Sequence, residues 1–205
     1  MTILSVNKTM EQMGAVCALF VYGRGLRPFF VAGGRKMNRK VRSLVYGALI
    51  AALYVALTYL QNFLIPGSAT WAIQFRVSEA LCVLALMTPA AIPGLSLGCL
   101  LFNLSFAGAL PLDFLVGSAA TALATGCMYL LRRVCIKGFP LPALLMPAVW
   151  NGLLVGWELA VYIGGGFWLN ALYVAIGEGA VLLTLGAGLF YAIRSRGLDK
   201  RLFPN

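Results

Sequence analysis

Four carboxylic acids fall inside stretches of the chain that are otherwise apolar: Glu79, Asp113, Glu158 and Glu178. An ionised carboxylate at the centre of a bilayer costs about 2.5–3.5 kcal/mol on insertion scales. Acids that remain in a membrane at this cost usually bind a ligand, an ion or a proton. These four therefore predict a polar binding site inside a bundle of helices.

Two of the acids also have a local structural interpretation. Glu79 follows Arg76 by three residues, so an ion pair could fix the start of a helix, or both could line the mouth of a site with Gln74. Asp113 begins a predicted helix, where the helix dipole stabilises a carboxylate and the side chain can cap free N–H groups. The sequence leaves the structural and the functional interpretation open for each.

Glu158 and Glu178 lack such a local explanation. Neither caps a predicted helix, and neither has an Arg or Lys within one turn. Each must therefore be protonated, bonded to a neighbouring helix or turned towards a bound ligand. Other side chains could complete a site: Asn103, Asn151 and Asn170 for polar atoms of a ligand, and Trp157 and Trp168 as stacking walls or as part of an aromatic belt.

The composition is that of a polytopic membrane protein. The 205 residues are 61% hydrophobic and 11% charged, with a mean hydropathy of +0.89, whereas a soluble domain carries about 25% charged residues. The net charge of +10 does not indicate nucleic-acid binding, because the basic residues lie in short segments between apolar runs. The sequence contains no histidine, which removes HExxH metal sites and Ser–His or Cys–His pairs. We therefore expect no enzyme activity, no metal and no cofactor.

Six transmembrane helices are predicted, over about 43–64, 77–88, 93–107, 112–132, 141–163 and 168–194. An even number of spans places both termini and every basic cluster in the cytoplasm, with Arg76 outside. The acids then fall in the outer half of an all-α bundle in the cell membrane. Residues 1–36 differ from the rest and are interpreted as a disordered extension or a misassigned start, so residues 37–205 would form one six-helix substrate-binding domain.

Six segments of the sequence indicate a more specific function than membrane transport or binding in general. The most specific is IQFRVSEAL (73–81), and the others are ALIAALYVALT (48–58), AIPGLSLGCLLFNL (91–104), DFLVGSAATALAT (113–125), PAVWNGLLVGWELA (147–160) and LYVAIGEGAVLLTLG (172–186). In this order they resemble the QueT family, the substrate-binding (S) components of energy-coupling-factor (ECF) transporters for queuosine precursors. The resemblance implies a six-helix bundle of the ECF S-component type. It also implies capture of a 7-deazaguanine base, such as pre-queuosine, from the outside.

The resemblance implies partner proteins as well. An S component docks on a transmembrane coupling protein that carries two ATPase subunits, and this sequence has no G-x-x-x-x-G-K-[ST] phosphate loop. Ala48, Ala52 and Ala56 recur every four residues on one face of the first helix, which favours close packing within the bundle or against another protein. Under the resemblance this face contacts the coupling protein, while lipid surrounds the rest of the bundle.

The chemistry of such a ligand suggests roles for the acids. Glu178 or Glu158 would accept the N–H donors of the ring edge, and Asp113 or Glu79 would face the positive charge of an aminomethyl form. The alternatives are a proton-coupled secondary transporter and an ECF component for a different vitamin-like heterocycle. An intramembrane enzyme is less favoured because the sequence shows no nucleophile–base pair. An assembly partner without a ligand would leave two of the acids unexplained.

Overall fold

The computed structural model of the chain describes residues 38–66, 75–106 and 109–198. The interpreted extension, residues 1–36, lies outside these ranges, and so does Gln74. The helices are α1 (Arg39–Leu64), a 3₁₀ helix (Val77–Leu86), α2 (Ala91–Ser105), α3 (Asp113–Leu131), α4 (Leu141–Leu144), α5 (Met146–Tyr162), α6 (Phe167–Val181) and α7 (Ala187–Ser195). A π-helical turn, Leu182–Gly186, joins α6 to α7.

These elements make six apolar segments, which confirms the prediction of an all-α membrane bundle. Four segments are long and apolar enough to cross a membrane: Arg39–Leu64, Asp113–Leu131, Leu141–Tyr162 and Phe167–Ser195. The 3₁₀ helix and α2 are shorter apolar segments. Each segment lies within about four residues of its predicted bounds, a difference ordinary for helix ends.

The first helix shows how the sequence sets an element and its buried face. It begins earlier than predicted, at Arg39, because the side-chain oxygen of Asn38 accepts a hydrogen bond from the backbone N–H of Lys40 at 3.1 Å. Its buried positions recur at helical spacing: Ile50, Ala51, Tyr54, Thr58 and Gln61. The leucines on its opposite face are exposed on the outside of the bundle, as expected for a helix whose outer surface contacts lipid.

The 3₁₀ helix lies at the centre of the bundle. It contacts α1, α2, α3, α6, α7 and the π-helical turn, and residues 78–83 and Ala85 are buried. The sequence predicted a regular helix over 77–88, so the tighter winding is a correction. A 3₁₀ helix rises about 2.0 Å per residue against about 1.5 Å for an α-helix, so ten residues reach about 20 Å instead of 15 Å.

The last two predicted helices are each interrupted. Helix 141–163 is divided into α4 and α5, and Pro147 lies in the first turn of α5, where its missing N–H needs no partner. Helix 168–194 passes through the π-helical turn, where the N–H of Ala187 donates to the carbonyl oxygen of Leu182. Such a turn adds one residue to the hydrogen-bond ladder and rotates the helix beyond it.

Glycines allow two pairs of helices to approach backbone to backbone. A Cβ placed on Gly156 of α5 would lie 2.6 Å from the Cα of Ala171 on α6. A Cβ on Gly94 of α2 would lie 2.6 Å from the carbonyl oxygen of Gly47 on α1. Small residues of this kind let membrane helices pack closely where no hydrophobic effect drives them together.

Candidate functional site

Arg76 introduces a positive charge into the bundle at the start of the 3₁₀ helix. The residue is 3% exposed. The amide of Gln61 on α1 bonds the backbone on both sides of it: its Nε2 donates to the carbonyl oxygen of Phe75, and its Oε1 accepts from the N–H of Val77 at 2.7 Å. The position of the guanidinium is therefore tied to the first helix.

Asp113 is the acid with which Arg76 forms an ion pair. The Nη2 of Arg76 lies 3.6 Å from the Oδ1 of Asp113, and both side chains are buried. Asn103 on α2 donates from Nδ2 to the backbone oxygen of Asp113 at 2.9 Å. Gly117, one turn later, leaves room here, since a Cβ would lie 2.9 Å from the Asn103 amide nitrogen. The pair joins the 3₁₀ helix to the start of α3.

Glu79 is bonded to neutral donors. The hydroxyl of Tyr54 donates to its Oε1 at 2.6 Å, and the thiol of Cys82 donates to its Oε2 at 3.0 Å. The side chain has no solvent exposure. The sequence considered an ion pair between Arg76 and Glu79, whereas the ion pair found runs from Arg76 to Asp113.

Glu158 and Glu178 are buried without partners. They are 0% and 1% exposed, and none of their four carboxyl oxygens has a hydrogen-bond partner within the described residues. The charges of Asp113 and Arg76 act on Glu158, and those of Glu79 and Arg76 act on Glu178. Both carboxyls therefore lie within electrostatic range of Arg76. We call Arg76, Glu79, Asp113, Glu158 and Glu178 the buried cluster.

Two asparagines of the predicted set have unpaired buried atoms as well. Asn151 is 2% exposed and its Nδ2 has no partner in the described ranges. It precedes Glu158 by seven residues, which places both on one face of α5. The Oδ1 of Asn103 is likewise buried and unpaired. Unpaired buried polar atoms are rare in folded proteins, and several in one region indicate a place for a ligand or for water.

The remaining predicted site residues lie elsewhere. Asn170 donates to the carbonyl oxygen of Gly164 at 3.0 Å, so it fixes the turn before α6. Trp157 is 49% exposed and Trp168 is 76% exposed. Neither tryptophan is buried with the acids, and their exposure suits an aromatic belt better than stacking walls. Gln74 lies outside the described residues.

Sequence reasoning missed three contributors: Tyr54, Gln61 and Cys82. Tyr54 and Gln61 are seven residues apart, which places them on one face of α1. That spacing of polar groups in an apolar helix was the available signal. A cysteine in an apolar segment gives no comparable signal, because it usually behaves as a small hydrophobe.

The predicted docking alanines lie on the outside of the bundle. Ala48, Ala52 and Ala56 are all exposed. Ala48 and Ala52 line a groove of about 760 Å³ between α1 and α2, with Arg39 and Lys40 at one end. Ala56 is not among the residues that line this groove.

The arrangement is suited to binding a ligand rich in N–H donors. Among the described residues it offers the four carboxyl oxygens of Glu158 and Glu178, the Oδ1 of Asn103 and the amide nitrogen of Asn151. The guanidinium of Arg76 is held by the carboxylate of Asp113. Within the described ranges, no three Cys, Asp or Glu side chains come close enough together to hold a metal ion.

Comparison with known proteins gives one match. A family model described as QueT transporter matches residues 44–195, which is 152 of the 205 residues. The matched range contains every residue of the buried cluster. No curated protein and no solved structure matches the chain.

Proposed function

Because the chain belongs to the QueT transporter family, we propose that it is the substrate-capture component of an ATP-driven ECF uptake transporter. It binds a queuosine precursor with a 7-deazaguanine ring from the outside. Family membership and the apolar helices make the chain a membrane transporter component. The ATP-driven coupling and the identity of the ligand are the parts that we propose.

One observation carries the proposal: the carboxyls of Glu158 and Glu178 are buried and have no hydrogen-bond partner among residues 38–66, 75–106 and 109–198. A guanine-like edge presents adjacent N–H donors, which one carboxylate can accept together. Leaving a buried polar group unbonded costs about 1–3 kcal/mol, and more for a charged group. A ligand that supplies donors to both carboxyls would remove this cost on binding. Asn151 would then donate to an acceptor atom of the ring.

Partner proteins supply the energy in this proposal. The sequence contains no G-x-x-x-x-G-K-[ST] phosphate-binding loop, so a transmembrane coupling protein and two ATPase subunits would drive release. The exposed face of α1 that carries Ala48, Ala52 and Ala56 would contact the coupling protein, with the groove beside α2 receiving side chains. Both termini and the basic clusters would face the cytoplasm, which turns the start of α3 outwards.

A binding assay on the purified protein alone tests the ligand class. Calorimetry in detergent would compare 7-deazaguanines, guanine, riboflavin and biotin. We expect tight binding of a deazaguanine without partner subunits. Tight binding of another vitamin instead would keep the architecture and overturn the ligand, and the absence of any binding would contradict a capture role.

An uptake assay tests the docking face. Ala52→Trp places a large side chain in the groove and should abolish uptake by the assembled transporter while leaving ligand affinity unchanged. Leu60→Trp is the matched control, because Leu60 is 53% exposed on α1 and does not line the groove. Loss of binding by Ala52→Trp, or uptake equal to that of the control, would contradict docking at this face.

A proton-coupled secondary transporter is the alternative that the same carboxyls favour, since intramembrane acids also serve as proton relays. The two functions differ in their dependence on partners. Uptake by this chain alone in vesicles with a proton gradient would support the alternative. Uptake that requires the coupling protein, the ATPase subunits and ATP would support the ECF transporter.

A further inference from the structure

We infer that the buried site selects a ligand with a positive charge, and that Glu158 and Glu178 together hold that charge and the ring N–H donors. The 7-deazaguanine ring rests on the proposed function, whereas the selection for charge rests on the buried groups themselves. Asp113 and Glu79, which the sequence favoured for the cation, are already engaged within the protein.

Acidic groups outnumber basic ones in the buried cluster. Four carboxyls and one guanidinium lie there, each at most 5% exposed. Arg76 is paired with Asp113, and Glu79 accepts bonds from a hydroxyl and a thiol. No side chain in the described ranges donates a hydrogen bond to Glu158 or Glu178. A buried carboxyl without a donor is stable in a medium of low dielectric constant only if it takes up a proton or meets a positive charge. A cationic ligand supplies that charge and a neutral ligand does not.

Acceptors also outnumber donors among the unpaired atoms of the site. Within the described part of the chain, Glu158 and Glu178 present four oxygens without a donor and Asn103 presents a fifth, while Asn151 presents an amide nitrogen without an acceptor. The complementary ligand is therefore rich in N–H groups and has few acceptors. An ammonium arm adds three donors to those of a guanine-like edge. A neutral nitrile arm in the same place adds one more acceptor, which would face oxygens.

The excess of charge and the excess of acceptors together distinguish two ligands of nearly the same size. One is a 7-deazaguanine with a protonated aminomethyl arm, and the other carries a nitrile at the same position. We expect the aminomethyl compound to bind more tightly by roughly tenfold or more, since charge-assisted hydrogen bonds are about twice as strong as neutral ones. This measurement uses the unmodified protein, so it does not depend on the folding of any variant.

Variants then identify the residues that recognise the positive charge of the ligand. Glu158→Gln and Glu178→Gln keep side-chain size and each replace a carboxyl that can ionise with a neutral amide. In at least one of these variants, the affinity for the aminomethyl compound divided by the affinity for the nitrile should fall towards one. Thr184→Val is the control on the same helical segment as Glu178, because the Thr184 hydroxyl is exposed and donates to the Ala180 carbonyl. In this variant the ratio of the two affinities should stay near that of the unmodified protein.

A second pair of compounds keeps the inference separate from the proposed function. Benzamidine and benzamide share a flat shape and differ in charge, and neither contains a deazaguanine ring. The inference is supported if the aminomethyl deazaguanine binds more tightly than the nitrile and benzamidine binds more tightly than benzamide. Preference for benzamidine with no binding of either deazaguanine would overturn the ligand class and retain selection for charge. Equal or tighter binding of the nitrile, or no preference in the second pair when neither deazaguanine binds, would overturn the inference.

Discussion

Each buried carboxyl in this bundle has different neighbours, and the neighbours decide what it can do. Asp113 is bound to a guanidinium and Glu79 to neutral donors, so both are bonded within the bundle. Glu158 and Glu178 contact no donor among the described residues, so they remain available. The sequence identified all four acids from their cost in lipid. It could not assign their partners, because Tyr54 is 25 positions from Glu79 and Asp113 is 37 from Arg76.

At the scale of single residues, the contacts of Gln61 lead to a prediction. Gln61→Ala removes both bonds that flank Arg76 and leaves the Phe75 carbonyl and the Val77 N–H without this partner. We expect ligand affinity to fall by about 1–2 kcal/mol, because the guanidinium loses its fixed position. Calorimetry with the aminomethyl deazaguanine would measure the change.

Two further variants separate positioning from general destabilisation. Gln61→Glu keeps an acceptor for the Val77 N–H and should retain more affinity than Gln61→Ala. Asn62→Ala removes a bond to the neighbouring Thr58 carbonyl, away from Arg76, and should leave affinity unchanged. Equal effects of Gln61→Ala and Asn62→Ala on affinity would show that Gln61 has no positioning role.

At the scale of elements, the sequence placed all six segments but not their internal geometry. Hydrophobic runs and proline or glycine turns located the ends within a few residues. The 3₁₀ winding of Val77–Leu86 follows from packing against five neighbouring helices, which no local pattern encodes. The π-helical turn after Val181 is also invisible in the sequence, since its residues are ordinary apolar ones with a single threonine. The start of α5 does carry a signal in the sequence, Pro147, but the prediction of one helix over 141–163 did not use it.

The contact between α5 and α6 gives a prediction at this scale. Gly156→Ala would place a methyl group 2.6 Å from the backbone of Ala171, so the helices must separate. We expect a loss of about 1–3 kcal/mol of stability, typical of overpacking, and weaker ligand binding, because the two helices carry Glu158 and Glu178. Thermal unfolding in detergent and calorimetry would measure the two effects.

Gly179→Ala is the matched control for this contact. Gly179 is on α6 beside Glu178, and a Cβ there would meet nothing within 4 Å. The variant should therefore be as stable as the parent, or slightly more stable, because alanine favours a helix by about 1 kcal/mol over glycine. A Gly156→Ala variant as stable as Gly179→Ala would contradict the close packing of α5 on α6.

At the scale of the whole molecule, the distribution of charge predicts which side of the membrane each end of the bundle faces. The four acidic side chains in the described ranges are buried within the bundle, whereas basic residues are concentrated at its predicted cytoplasmic ends. A free cysteine, Cys135, is exposed in the segment between α3 and α4, on the predicted cytoplasmic side. It offers a natural probe of orientation.

We predict that a membrane-impermeant maleimide labels Cys135 in inverted vesicles and not in intact cells. The parent would carry Cys17→Ser and Cys127→Ser, since Cys82 and Cys99 are buried. A variant that also carries Cys135→Ser and has Leu112→Cys, at an exposed position before α3, should show the opposite pattern. Labelling of Cys135 from outside the cell would reverse the proposed topology.

The shortness of α2 has a consequence for the lipid around it. Its 15 residues span about 22 Å at 1.5 Å per residue, less than the roughly 30 Å of a bilayer's hydrocarbon core. Leu97, Leu101 and Leu104 on this helix are all about half exposed. The bilayer next to α2 would therefore become thinner to match the helix, which costs a fraction of a kcal/mol of free energy per ångström of mismatch. A protein that covers α2 would displace compressed lipid, so its association should tighten as the acyl chains of the membrane lengthen.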